Sequence, residues 1–175
     1  MTVFIALLRS VNVGGTGKFP MADLKAICED AGFAKVKTYI ASGNVLFETS
    51  SGEAKVKSAL EAHVQAYAGR FIPVLVRTAA EMAAVAKANP FPKTDPARTV
   101  AIFLDGPPAK DTAATARGQT IEEIRLGKRE IYVHYGDGMR DTKLRLKASE
   151  QGTARNINTV VKLAALAATY AKIKQ

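Results

Sequence analysis

Residues 3–8 (VFIALL) are apolar without interruption, the pattern of a strand covered on both faces. A glycine-rich loop, Arg9 to Lys18, follows. Pro20 in a first helical turn, Asp23 just inside it, Met21, Leu24, Ile27 and Cys28 at helical spacing and Gly32 beyond the end predict an amphipathic helix. Residues 35–40 alternate, and the Ser42-Gly43-Asn44 turn leads into Val45, Leu46 and Phe47, which predicts a hairpin. Ser51 is placed to cap a second helix with Val56, Leu60, Val64 and Tyr67 on its apolar face, and residues 72–76 return as a strand opened by Pro73.

The order βαββαβ is that of a ferredoxin-like module, with its first and third strands central and its second and fourth at the edges. The residues agree with that placement. The predicted centre is uninterrupted, whereas Lys35, Lys37 and Pro73 are devices that protect an exposed edge. Residues 78–88 read as a connecting helix, and residues 89–98, with Pro90, Pro92 and Pro96, as a proline-rich connection between modules 1–88 and 99–175. In the second module residues 100–104 form a buried strand, 108–117 a short helix, and 121–126 with 130–135 a hairpin turning at Gly127-Lys128. No fourth strand is apparent. Residues 141–151 read as a short basic helix and 157–172 as a longer apolar one. The expectation is an α+β chain: a complete ferredoxin-like module, then a truncated βαββ copy with C-terminal helices.

Composition narrows the function classes. Over 175 residues, 25 basic and 16 acidic side chains give a formal net charge of +9, which favours anionic partners. The excess is C-terminal, with 15 basic and 9 acidic side chains in residues 91–175 against 10 and 7 in residues 1–90. Much of it sits in the run Arg140, Lys143, Arg145, Lys147. The chain lacks the aromatic signature of an RNA-recognition domain on its third strand, so nucleic-acid contact is expected to be weak and salt-sensitive. One cysteine and two histidines exclude a disulfide framework and a structural zinc site. No metal or cofactor motif is present, and the lone Cys28 fits a buried structural thiol in a cytoplasmic setting. The N-terminal apolar run lacks the charge and length of a secretion signal, and no run approaches a membrane span.

The candidate chemistry gathers in three segments. The loop between strand and helix presents Arg9, Asn12, Gly14, Gly15 and Lys18 where free amides and the helix dipole favour an anion. It is not a Walker A loop, because Asn12 and Phe19 occupy required positions, nor a dinucleotide fingerprint, because Pro20 stands where a small residue is needed. The turn Ser42, Gly43, Asn44 opens at the same end of the sheet, where the alternative to a ligand role is that Gly43 supplies a positive φ and Asn44 caps the turn. The third segment, ahead of the last helix, carries Thr153, Arg155, Asn156, Asn158 and Thr159, more polar groups than one cap requires. It is expected to fold against the first two. The alternative is that Asn156 caps and Arg155 makes a surface ion pair.

The segments IALLRSVNVGG (5–15), PMADL (20–24), TYIASGNV (38–45), NPFP (89–92) and TARNINTV (153–160) together resemble the bacterial family called domain of unknown function 1697. The resemblance implies paired ferredoxin-like units in a bacterial cytoplasmic protein and assigns no activity. Ser10 stands where that family usually has glycine, and Ile157 where it usually has tryptophan. On the residues, three readings compete: binding of a small phosphorylated or carboxylated ligand at the polar loops, an enzyme with Arg155 stabilising negative charge beside Ser10 or Ser42, and a sequence-independent nucleic-acid binder.

Overall fold

A computed structural model describes residues 1–15 and 17–172. The chain divides into two compact units, residues 1–82 with the C-terminal end of the last helix from Ala165, and residues 83–164. The first contains β1 (Thr2–Leu8), α1 (Met21–Asp30), β2 (Ala34–Tyr39), β3 (Asn44–Thr49), α2 (Glu53–Ala68) and β4 (Val74–Thr78). Its antiparallel sheet has the order β2-β3-β1-β4, with the apolar β1 central, as its pattern requires. Phe4, Ala6 and Leu8 on one face and Ile5 and Leu7 on the other are all buried. The first face, continued by Val45, Phe47, Val74 and Val76, packs with Leu24, Ile27 and Cys28 of α1 and Val56, Leu60 and Val64 of α2. The edge strand β2 carries its lysines outward and is bulged between Ala34 and Lys37, a second device against edge pairing.

Helix ends differ in detail from the pattern. Gly52, not Ser51, is the N-cap of α2, without a side-chain cap, and Tyr67 is exposed rather than on the core face. Its ring packs instead against Phe19 at 4.9 Å, and its hydroxyl donates to Asp23 of α1. α3 (Ala79–Lys87) starts from a reciprocal box in which Thr78 N–H donates to Glu81 Oε2 and Glu81 N–H to Thr78 Oγ1.

The second unit holds β5 (Thr99–Phe103), β6 (Glu123–Leu126), β7 (Glu130–His134) and β8 (Thr153–Asn156), and α4 (Ile157–Lys172) begins in it. Its order is β6-β7-β5-β8, again antiparallel throughout. The module is therefore not truncated. The missing fourth strand is β8, hidden in the sequence because its inward positions are Thr153 and Arg155 rather than aliphatic residues. The short helix expected over 108–117 is a run of turns. Pro107 and Pro108 open it, and beside the buried Thr112 its apolar contacts with the core are Ala113 and Ala116, too little apolar surface to stabilise a helix of that length. The basic helix expected over 141–151 is a non-helical stretch over 142–146 followed by a 3-10 turn at Lys147–Gln151. Leu144 and Leu146 point inward while Lys143, Arg145 and Lys147 are exposed, a period of two rather than 3.6.

The sheets match residue by residue. Ile5 lies between Leu46 and Arg77, and Ala101 between Tyr132 and Arg155. Leu8 N–H donates to Gly43 O at 2.8 Å, and Leu104 N–H to Arg129 O at 2.9 Å, at the equivalent position. Arg77 and Arg155 are both buried, and each donates through one terminal nitrogen to the preceding carbonyl, of Val76 and of Ala154.

Candidate functional site

At the end of β1 the chain enters the glycine-rich loop through two left-handed residues, Ser10 (φ 52°) and Asn12 (φ 53°). Asn12 fastens the loop. Its amide nitrogen donates to Phe19 O and to Ala41 O, both at 2.7 Å, and its oxygen accepts from Phe19 N–H at 2.6 Å. One side chain thus closes the loop base and ties it to the β2–β3 turn. In that turn the buried Asn44 donates to Tyr39 O and Ser42 Oγ, both at 2.9 Å. Gly43 (φ 84°) is required twice over, since a Cβ there would stand 2.5 Å from Val11 Cγ2. The turn and the loop are neighbours, as topology demands, and the amide hydrogens of Asn12 and Asn44 are committed to backbone and Ser42.

Val11 and Phe19 are buried plugs at the two ends of the loop. Val13, Gly14, Gly15, Gly17 and Lys18 are exposed, and no atom lies within 4 Å of where a Cβ would sit on any of the three glycines. Gly15 and Gly17 have φ near +80°, while Ile40 in the neighbouring turn is held at φ 49°, a costly conformation for a β-branched side chain. Arg9 is half-buried.

The third predicted segment lies in the second unit. Arg155 is on β8, and its guanidinium donates to Thr153 Oγ1 at 2.8 Å as well as to Ala154 O. Burial pulls its pKa down to about 10. It is not a surface residue. Asn156 accepts from Thr159 N–H at 2.9 Å, which is the cap of α4, and Asn158 is exposed. Cys28 is fully buried and its pKa is pushed up to about 12 by that burial and by Glu29, the state of an inert thiol. His63 binds Ala59 O on its own helix, and His134 binds Thr99 Oγ1. Among the described residues no group of three His, Cys, Asp or Glu side chains could hold a metal, and no helix is long and apolar enough to cross a membrane.

Sequence reading missed a cleft in the second unit. A cavity of about 820 Å³ is lined by Ala109, Asp111, Thr112, Thr115, Arg117, Arg145, Lys147, Ala148, Glu150 and Gln151. A smaller one of about 190 Å³ adjoins it, lined by Leu104, Asp105, Gly106, Pro107 and Pro108 and sharing Ala109, Ala148 and Gln151. Its walls are the segments that take the places of α1 and α2. They are stitched together where Arg117 and Arg145 exchange backbone hydrogen bonds of 3.0 and 2.7 Å. Beside that bridge Gly118 (φ 68°) leaves no room for a Cβ, which would stand 2.2 Å from Lys143 O. The basic run was visible in the sequence; its extended form, which turns alternate charges toward the cleft, was hidden by reading it as a helix.

The fold and the motifs have counterparts elsewhere. The structure of a conserved bacterial protein, SP0830 from Streptococcus pneumoniae, superposes with a TM-score of 0.78 at 24% identity, covering 95% of this chain and 98% of that one. That likeness speaks for the fold alone. No curated protein matches the chain. Residues 1–132 match the model of the family described as protein of unknown function, DUF1697, and the chain belongs to that family.

Proposed function

We propose that the chain binds a small anionic ligand, phosphorylated or carboxylated, at the loop end of the first sheet. The observation that carries this reading is a conjunction: Ser10, Asn12 and Ile40 are left-handed at one end of the sheet, where Gly14, Gly15, Gly17 and Lys18 are exposed. Strain of about 1–3 kcal/mol per residue concentrates where a binding geometry is prepared. Lys18 and Arg9 supply charge, the backbone of Gly14 and Gly15 offers amides, and Asn12, Ser42, Gly43 and Asn44 form the frame. The order of elements around this sheet supports a ferredoxin-like module, the matched register supports a second copy of it, and the buried lone thiol suits a cytoplasmic setting.

A melting-temperature screen of the whole chain against inorganic phosphate, citrate, phosphorylated metabolites and short carboxylates tests the proposal, since a ligand stabilises according to its concentration relative to its Kd. One or more anions raise Tm, and Lys18→Ala weakens that ligand several-fold. If no anion stabilises the chain, or if Lys18→Ala leaves every response unchanged, the loop is not the site.

A further inference from the structure

We infer that the cleft of the second unit is a binding site for a phosphate monoester with an apolar remainder, separate from the glycine-rich loop. Arg117 and Arg145 form a doubly hydrogen-bonded antiparallel pair, which sets two Cα atoms about 5.5 Å apart with side chains on one face. Like charges in that relation are destabilising. Lys147, two residues beyond Arg145 along the extended segment, lines the same cavity. Among the described residues none of these three cations takes part in an ion pair. Three cations against the two carboxylates of Asp111 and Glu150 leave the lining net positive, and although Arg145 Nη1 donates to Leu144 O at 3.3 Å, the fork keeps further donors, which suits a phosphoryl group. Arginine forks meet such oxygens in pairs, and each charge-assisted bond is stronger than a neutral one.

The remaining lining fixes what the phosphate is attached to. About 820 Å³ lies in the range of small-molecule sites. The adjoining pocket offers Leu104, Pro107, Pro108, Ala109 and Ala148 together with Asp105 and Gln151, a surface half apolar beside the charged one. Thr112 and Thr115 already donate their hydroxyl hydrogens to backbone carbonyls, so those oxygens meet a ligand as acceptors. Asp111 and Glu150 also line the cleft, and their charges oppose a continuous polyanion, which favours a small phosphate ester over a nucleic-acid strand.

Calorimetric titration of the full chain with inorganic phosphate, phenyl phosphate, benzoate and a short single-stranded oligonucleotide tests the assignment. Phenyl phosphate binds saturably and more tightly than phosphate, and Arg117→Gln or Arg145→Gln weakens it about ten- to a hundredfold. Because either change removes a like-charge contact, the ligand-free Tm of each variant stays level or rises, which separates lost binding from lost folding. Lys162→Ala, which removes an exposed cation on α4 outside the cleft lining, leaves phenyl phosphate affinity unchanged, whereas an affinity lost in Lys18→Ala and kept in both arginine variants would place the ligand at the loop and overturn the assignment. Absence of saturable binding, equal affinity in the arginine variants, or tighter binding of the oligonucleotide or of benzoate would overturn the assignment.

Discussion

In the first unit the sheet face formed by Phe4, Ala6, Leu8, Val45 and Phe47 lies under two helices whose large side chains, Leu24, Ile27, Val56, Leu60 and Val64, fill the layer above it. The equivalent face of the second sheet, formed by Val100, Ile102, Leu104, Ile131 and Val133, lies under irregular chain that contributes Leu144, Leu146 and a few alanines. The strands keep register across the two, down to the buried arginine on each outer strand. What differs is the supply of apolar surface between strands. Where a connection carries an aliphatic stripe at helical spacing, it folds as a helix and closes the layer. Where it carries alanine, proline and alternating charge, it stays irregular, and a cavity opens beside the sheet.

Large-to-small substitutions sharpen this contrast most. Leu60→Ala, at a fully buried position on the core face of α2, is expected to cost about 3–5 kcal/mol, because the helical layer cannot close over the hole. Leu146→Ala, at the corresponding layer of the second unit, is expected near the low end of the known range, about 2 kcal/mol, because an extended segment beside a cleft relaxes. Urea denaturation measures both. Equal losses would mean that the second cover is packed as firmly as the first.

Glycine substitutions give the next effect. Gly43→Ala meets both a left-handed φ and Val11 at 2.5 Å, and a loss of about 2–3 kcal/mol is expected. Gly15→Ala meets only the left-handed φ and should cost about 1 kcal/mol. A reversed order would break the view that the turn is a rigid frame and the loop a solvent-held surface.

The smallest effect is set by pH and confined to the second unit. Glu122 accepts hydrogen bonds from Thr120 N–H and Oγ1 and from Thr142 Oγ1, tying the two irregular segments. These bonds, that from Thr142 foremost, lower its pKa from 4.5 to about 2. A depressed carboxyl pKa stabilises the fold fully above its unfolded value, and that contribution is lost as pH falls from about 4.5 toward 2. Glu122→Gln should therefore flatten the acid limb of a Tm-against-pH curve in that interval and leave the curve's shape above it unaltered. An unchanged acid limb would contradict the role given to this carboxylate.

The sequence was legible wherever apolar periodicity was strong. Residues 3–8, the stripe of α1, the lysine edge of β2 and the apolar α4 each declare their place by spacing alone. β8 was not legible, because a buried Arg155 between Ala154 and Asn156 reads as surface until its partner strand is known. The segment 141–151 was not legible, because the alternation of Leu144 and Leu146 between charges spans too few positions to separate a period of two from one of 3.6. At the site, the nearness of Asn12 to the Ser42-Gly43-Asn44 turn followed from topology. The commitment of Asn12 and Asn44 to holding the loop could not, because hydrogen-bond partners are set by geometry rather than residue type. The cleft had no local signature, since it exists through the absence of two helices.

Amide hydrogen exchange of the whole chain, with and without saturating phenyl phosphate, tests most directly whether two like sheets carry covers of unlike stability and use. Without ligand, the account predicts slow exchange through α1 and α2 and fast exchange across residues 108–116 and 147–151, apart from amides bonded in their turns. With ligand, the second set slows and the first does not change. Uniform protection of both covers, or a ligand response confined to α1 and α2, would contradict it.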